Sequence, residues 1–355
     1  MVSIKELMLG SKRVVGLDIG SSLIKLIEID DTSQGAVLRT YEEIPVQPGA
    51  IENGIIKDSK AITEHIKGIF KNSRCSVKNV ITALSGHAVI IKKANFAHMK
   101  EEALRELLTD EAENYMPFDD VREINFDFHV IGENDLNPNQ MDVVIVAAKK
   151  DVIEDWIAAI ERAGRKVVIV DVDSFALETA YEQNYDFGGE DIVALLNIGA
   201  SITNINILKG GQSVFTRNFL LGGNTITEAI RQKLNIPFEE AEKIKHEGGN
   251  GGDISRLDLI NYAEPIFSEI ERSIDFFSST FMDPYLKQVL ISGGCAKLPG
   301  IVDALANRLN SGVEIFNPFK NISHDKKTFP EQYLTSIAPI ATLGVGLALR
   351  RMDDK

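Results

Sequence analysis

One strand–turn–strand unit occurs twice in this chain, about half its length apart. No other feature limits the fold as much. The first copy reads Leu17-Asp18-Ile19-Gly20-Ser21-Ser22 and the second Leu196-Asn197-Ile198-Gly199-Ala200-Ser201. In each, an apolar run delivers a polar side chain at the strand end, and a glycine with small residues then reverses the chain. Apolar residues resume a strand afterwards, Ile24, Leu26 and Ile27 in one copy and Ile202, Ile205 and Ile207 in the other. A chain that uses one hairpin twice is built from two similar halves. Turns of this kind offer backbone N–H groups to an anion, and Lys25 lies just beyond the first. Two such cradles imply a nucleotide clamped between the halves. Asp, Gly and Ser also build ordinary turns, so the first hairpin alone leaves both readings open. It is not a Walker loop, because no G-x-x-x-x-G-K-[ST] occurs and a strand follows the turn.

The 355 residues suffice for roughly two domains of ordinary size. A net charge of −14 argues against nucleic acid or an anionic membrane as a general partner. A nucleotide stays compatible, because a local nest and a metal ion supply the positive charge. The two cysteines, Cys75 and Cys295, lack a metal-spaced His and read as buried small hydrophobes of a reducing compartment. No apolar run approaches the ~18 residues that span a bilayer. Met1 to Arg13 is too polar for a signal peptide and reads as a frayed lead-in, with a short amphipathic turn through Ile4, Leu7 and Met8 as the alternative. Arg350 to Lys355 reads as a charged stop. These features predict a cytoplasmic chain.

Between the hairpins the texture changes. Strands are expected over Val37–Ile44 and Val80–Leu84, with an amphipathic helix over Ser59–Asn72. Residues 88–165 then read as an inserted β-α-β-β-α segment. Its helices are Lys100–Asn114, stopping before Pro117, and Asp151–Ala163. The first texture returns with the apolar run Lys166–Asp171 and a helix from Ser174 to Gln183. Beyond the second hairpin, Gly222-Gly223-Asn224 leads into a helix over Ile226–Leu234, and Pro237–His246 forms another. Glu247 to Gly252 reads as a connector rather than a phosphate loop, since no strand precedes it. A long helix over Leu259–Ser279, the strand Gln288–Ser292 and a small-residue helix over Ser336–Leu349 complete the chain.

This ordered set resembles the actin-like ATPase superfamily. Asp18 to Ser22 and Asn197 to Ser201 look like its two phosphate motifs, and Ser292-Gly293-Gly294 with Leu298-Pro299-Gly300 like its adenosine motif. Gly222-Gly223, Asn224 and the Glu242/Lys245 helix look like ribose and adenine contacts. An E-x-x-K pair is also an ordinary solvated i,i+3 pair, and both readings stand. Within the superfamily the chain is similar to the PilM family of type IV pilus assembly. The resemblance implies an actin-like α/β fold of two ribonuclease-H-like βββαβα halves around a nucleotide cleft. It implies a first subdomain over 13–87 and 165–188, and an insert over 88–164 shared with FtsA. A second subdomain covers 189–224 and 287–350, and a helical nucleotide-base subdomain 225–286. It further implies ATP and Mg²⁺ as cofactors. The partner is the N-terminal cytoplasmic segment of PilN, in a groove between the first subdomain and the insert. Through it the chain reaches the PilN/PilO inner-membrane platform and the pilus motor. The membrane is met only through that partner, and a homo-oligomer stays open. An FtsA-like division actin is the alternative, for which the expected C-terminal membrane helix is missing. A small-molecule kinase is the other, for which no catalytic constellation beyond Asp171 is found.

In this reading Asp18 and Asn197 hold Mg²⁺ through its waters. Backbone N–H groups of Gly20, Ser21 and Ser22, and of Gly199, Ala200 and Ser201, hold phosphate oxygens. Lys25 lies beside them, and Gly293 and Gly294 let the backbone approach the nucleotide. Asp171 and Asp173 are candidates to position the attacking water, with a strand end and a helix cap as their plain readings. The second hairpin departs from the superfamily in carrying Asn197 where Asp is usual, which removes a charge from the metal cluster. The expectation is ATP binding with slow or absent turnover.

Overall fold

The repeat reads directly in the strand pairing. β1 (Val14–Ile19) pairs antiparallel with β2 (Leu23–Thr32), and β2 with β3 (Gly35–Pro45). On its other side β1 pairs parallel with β6 (Asn79–Leu84), and β6 with β10 (Lys166–Val172). The second sheet repeats this order and these directions with β11 (Ile192–Ile198), β12 (Thr203–Lys209), β13 (Gln212–Phe219), β14 (Gln288–Ser292) and β15 (Val313–Ile315). The short β16 (Ser323–His324) then returns to the first sheet and pairs parallel with β3. This computed structural model describes residues 13–86, 89–111, 121–134, 137–249, 252–281 and 285–351. The expected turn through Ile4, Leu7 and Met8, the stop at Pro117, Asn250 and Gly251 of the connector, and the chain end after Arg351 lie outside them.

β1 and β11 are central strands with every residue buried. They therefore read as apolar runs broken only by the polar residue near the tip. A small hairpin, β4 (Ile51–Glu52) and β5 (Ile55–Ile56), leads to α1 (Ser59–Asn72). That helix starts where the Asp58 side chain accepts from the Ala61 N–H, and it buries Ile62, Ile66, Ile69 and Phe70, as the spacing predicts.

The two sheets share a core. α4 (Asp173–Asn184) contributes Ala176, Leu177, Ala180 and Tyr181, and α10 (Glu331–Leu349) contributes Leu343 and Leu347. These pack with Ile81 and Ala83 of one sheet and Val193, Leu195 and Leu290 of the other. A Cβ on Gly346 would lie 1.8 Å from the Ala176 carbonyl oxygen, so this close crossing of α10 over α4 requires glycine. By length and composition α10 could cross a bilayer, contrary to the sequence expectation. Yet 72% of that stretch is buried within the fold, as suits an inner helix.

Around the second sheet lie α5 (Gly223–Leu234), α6 (Phe238–His246), α7 (Arg256–Tyr262), α8 (Glu264–Phe281) and α9 (Ile301–Leu309). The single helix expected over 259–279 is thus two. A capping box between Ser255 and Asp258 starts the first early. Pro265 has no N–H to reach back to the preceding turn, and the chain breaks at Ala263.

The chain divides into two compact units, residues up to 86 with those from 159 onward, and residues 87–158. In the smaller unit β7 (Val89–Ala97), β8 (Ile124–Glu133) and β9 (Gln140–Lys149) form an antiparallel sheet in the order β7-β9-β8. Leu104 and Leu108 of α2 (Glu101–Asp110) pack on Phe96, Ile124, Met141, Val143 and Ile145 to give it its own core. α3 (Lys150–Arg162) runs across the boundary between the units.

Candidate nucleotide site

Both hairpins close in the same way. The Gly20 N–H donates to the Leu23 carbonyl and the Gly199 N–H to the Ile202 carbonyl, each at 2.9 Å. Those two N–H groups, expected from the sequence to face an anion, are therefore spent on the turns. The backbone N–H groups of Ser21, Ser22, Ala200 and Ser201 bond to no described residue, and they are what remains of the cradle. The two tips meet, with Ser21 Oγ and Ser201 Oγ 2.9 Å apart.

Register then places different chemistry at equivalent points. In the first hairpin Asp18 faces Lys25, whose Nζ donates to Asp18 Oδ2 at 2.6 Å, and Glu43 is the next residue across. Both partners of this ion pair are mostly buried. In the second, Asn197 Nδ2 donates to Asn204 Oδ1 and Asn204 Nδ2 to Asn218 Oδ1, each at 3.0 Å. Ser292 Oγ donates to Asn197 Oδ1 at 3.3 Å from the neighbouring strand. Sequence reasoning singled out Asn197 but missed Asn204 and Asn218. The signal available was the alternation Asn204-Ile205-Asn206 in a strand that must be buried, since buried amides need partners.

Asp171 accepts from Arg350 through both oxygens, Nε at 2.7 Å and Nη2 at 3.2 Å, which ties the end of β10 to the end of α10. Asp173 differs. The residue keeps some accessible surface, but its carboxyl lies deep among protein atoms. Burial first, and then the Asp18 carboxylate, push it up to about 8 against the opposing Ser85 hydrogen bond and Lys25 charge. Asp173 therefore holds its proton at neutral pH.

Gly222, Gly223 and Asn224 buttress the second hairpin. The Gly223 N–H donates to the Gly199 carbonyl at 2.9 Å and the Asn224 N–H to the Ala200 carbonyl at 2.8 Å. Asn224 Nδ2 reaches Ser201 Oγ at 3.1 Å, and a Cβ on Gly222 would lie 2.5 Å from the Gly199 oxygen. One on Gly293 would lie 2.4 Å from the Ile198 oxygen, whereas one on Gly294 would meet open space. The Glu242/Lys245 pair is not a solvated surface pair. Lys245 is buried and donates to Glu242 at 2.7 Å, to Thr227 Oγ1 at 2.8 Å and to the Gly223 carbonyl at 3.2 Å. Burial acts to raise the Glu242 carboxyl, but His246, Lys245 and the Thr227 hydroxyl together hold it down at about 2. Thr227, which the sequence did not flag, is the hinge of this cluster.

The profile of the family described as type IV pilus assembly protein PilM matches residues 16–352. The chain belongs to the PilM family. A solved structure described as a PilM-PilN type IV pilus biogenesis complex superposes with a TM-score of 0.84 at 27% identity, over 95% of this chain and 98% of that one. Curated relatives include the cell division protein FtsA of Bacillus subtilis, 21% identical over 86% of this chain and 78% of its own length. The ethanolamine utilization protein EutJ of Carboxydothermus hydrogenoformans shares the fold at a TM-score of 0.56 and 15% identity, over 94% of this chain and 88% of that one. The fold is thus actin-like, as the resemblance implied.

Among the described residues no group of three or more His, Cys, Asp or Glu could hold a metal. Asp18 and Asn197 offer the tips only one carboxylate and one amide oxygen, a set that would suit Mg²⁺ only as an ion that keeps its waters.

Proposed function

We propose that the chain binds ATP with Mg²⁺ between its two hairpins and acts in type IV pilus assembly. It does so in the cytoplasm by holding the N-terminal cytoplasmic segment of PilN at the inner-membrane platform. The observation that carries the nucleotide half is the meeting of two like hairpin tips, Ser21 with Ser201, each with two unspent backbone N–H groups. Family membership and the 27% identity to a PilM-PilN complex support the partner.

The unspent N–H groups and the two serine hydroxyls bind phosphate oxygens. Lys25 adds a positive charge beside them while it balances Asp18. Glu242, fixed as an anion beside Gly223, offers an acceptor to a ribose or base. Mg²⁺, when bound, neutralises phosphate charge. Turnover is slow or absent, because Asn197 stands at the second hairpin where Asp18 stands at the first, in a row of amides that neither take up a proton nor carry charge. Asp171 would have to leave Arg350 before it could orient a water.

The test joins three measurements on the full chain: titration with a fluorescent ATP analogue and Mg²⁺, ATP turnover, and capture by a PilN tail peptide. Saturable nucleotide binding, turnover well below ~1 s⁻¹ and specific capture are expected. Turnover at ~1 s⁻¹ or faster overturns the slow-hydrolysis reading. Absence of saturable binding overturns the nucleotide reading, and absence of capture the partner.

A further inference from the structure

Three loops that lie far apart in sequence meet at one point. The β4–β5 turn is Asn53-Gly54, both left-handed with φ of 54° and 79°, as a tight hairpin turn requires. Ser85-Gly86 follows β6, and Gly86 has φ of 71°. The third element is Ile202 at the tip of the second hairpin. A Cβ on Gly86 would lie 2.8 Å from Ile202 Cδ1. One on Gly54 would lie 2.8 Å from the Ser85 carbonyl oxygen and 3.6 Å from the same Cδ1. Both glycines are buried. Ile202 therefore seats against two glycines of the first half that both have positive φ, and at Gly86 a methyl would collide with its Cδ1.

The matching residue of the first hairpin behaves differently. Leu23 packs into the core of its own half with Ile27, Leu38 and α10. The Ile202 contact also borders the phosphate end of the site, since Ser201, next to Ile202, touches Ser21. Gly86 is the last residue before the chain passes into the smaller unit.

We propose that Ile202 is a positioning residue that sets the second hairpin against the first half and couples that contact to Gly86, where the chain departs for the smaller unit. Its ligand-dependent part rests on the nucleotide reading above; its apo part does not. The test is hydrogen exchange by mass spectrometry on the full chain, for wild type, Ile202→Ala, Gly86→Ala and the double variant, with and without a non-hydrolysable ATP analogue and Mg²⁺. Without nucleotide, Ile202→Ala should speed exchange around residues 53–54 and 85–86 by fivefold or more, leaving β11, β12 and β14 as protected as before. A residue that merely filled the core would loosen the whole second sheet instead. Because the Gly86→Ala methyl collides with Ile202, the double variant should exchange no faster there than Gly86→Ala alone. With nucleotide, wild type should gain protection at 85–86 and Ile202→Ala should not. Unchanged exchange at 53–54 and 85–86 in Ile202→Ala, or effects that simply add in the double, overturns the proposal. Loss of ligand protection at both hairpins in wild type, with the apo differences intact, overturns the nucleotide reading and sustains the positioning role.

Discussion

The two halves of the larger unit share strand order, strand direction and turn geometry, yet the row of side chains beside each turn is charged in one and neutral in the other. Asp18, Lys25 and Glu43 stand where Asn197, Asn204 and Asn218 stand in the second sheet. The charged row holds its partners by an ion pair of 2.6 Å and the amide row by two hydrogen bonds of 3.0 Å. One backbone thus supports two electrostatic solutions, because register alone brings the facing side chains together. What differs is the response to removal. A buried ion leaves a charge behind when its partner goes, whereas an amide leaves one unsatisfied dipole.

The largest effect should come from breaking the ion pair. Lys25→Met strands the mostly buried Asp18 carboxylate beside Asp173, and about 3 kcal/mol of stability should be lost at neutral pH in denaturant titrations. Recovery of most of that loss in Asp18→Asn/Lys25→Met would assign it to the stranded charge. A loss below ~1 kcal/mol in the single variant would mean that water already screens the pair.

A transplant sharpens the comparison. Asn197→Asp places a carboxylate among amides and should cost about 2 kcal/mol at neutral pH. The hydrogen-bond partners at this position, Asn204 and Ser292, are uncharged, so the folded pKa of the new carboxyl should rise. The penalty is then absent below about pH 4 and grows as pH climbs. Adding Asn204→Lys should rebuild the first half's pair and recover more than half of the cost. A double variant no more stable than the single would show that surroundings, rather than the facing pair, make the halves different.

The smallest effect has the opposite sign. Asp173 is pushed up to about 8 from its ordinary value near 3.8. The unfolded chain ionises first, so folding stability is lost as pH rises from about 4 and the loss is complete above about 8. Asp173→Asn removes that penalty. Its melting temperature should match wild type near pH 4 and exceed it by a few degrees at pH 8.5. This corresponds to about 1 kcal/mol or more after allowance for residual solvent access. Parallel curves for the two proteins across this range would refute the raised carboxyl.

Much of this organisation was legible in the residues. The spacing of Ile62, Ile66, Ile69 and Phe70 predicted α1 at its observed bounds, and the two hairpins predicted the paired sheets. Such signals are local, because a strand, a turn and an amphipathic helix follow from neighbours within a few residues. The long helix over 259–279 failed where a local rule was overlooked: Pro265 ends one helix and opens another. The Glu242/Lys245 pair stayed open in the sequence for a different reason. Its spacing is that of any solvated pair, and only Thr227 and the Gly223 carbonyl, brought in by another helix, reveal that it is buried.

The sequence by itself determined that two similar halves exist, where each turns, and that Asn197 replaces an expected carboxylate. Those properties reside in short stretches of chain and their periodicity. Only the tertiary structure decided which groups meet: Ser21 with Ser201, Asp171 with Arg350, Ile202 with Gly54 and Gly86. These partners come from distant parts of the chain. Their meeting depends on how two sheets settle around α4 and α10, a balance of burial that no local pattern encodes.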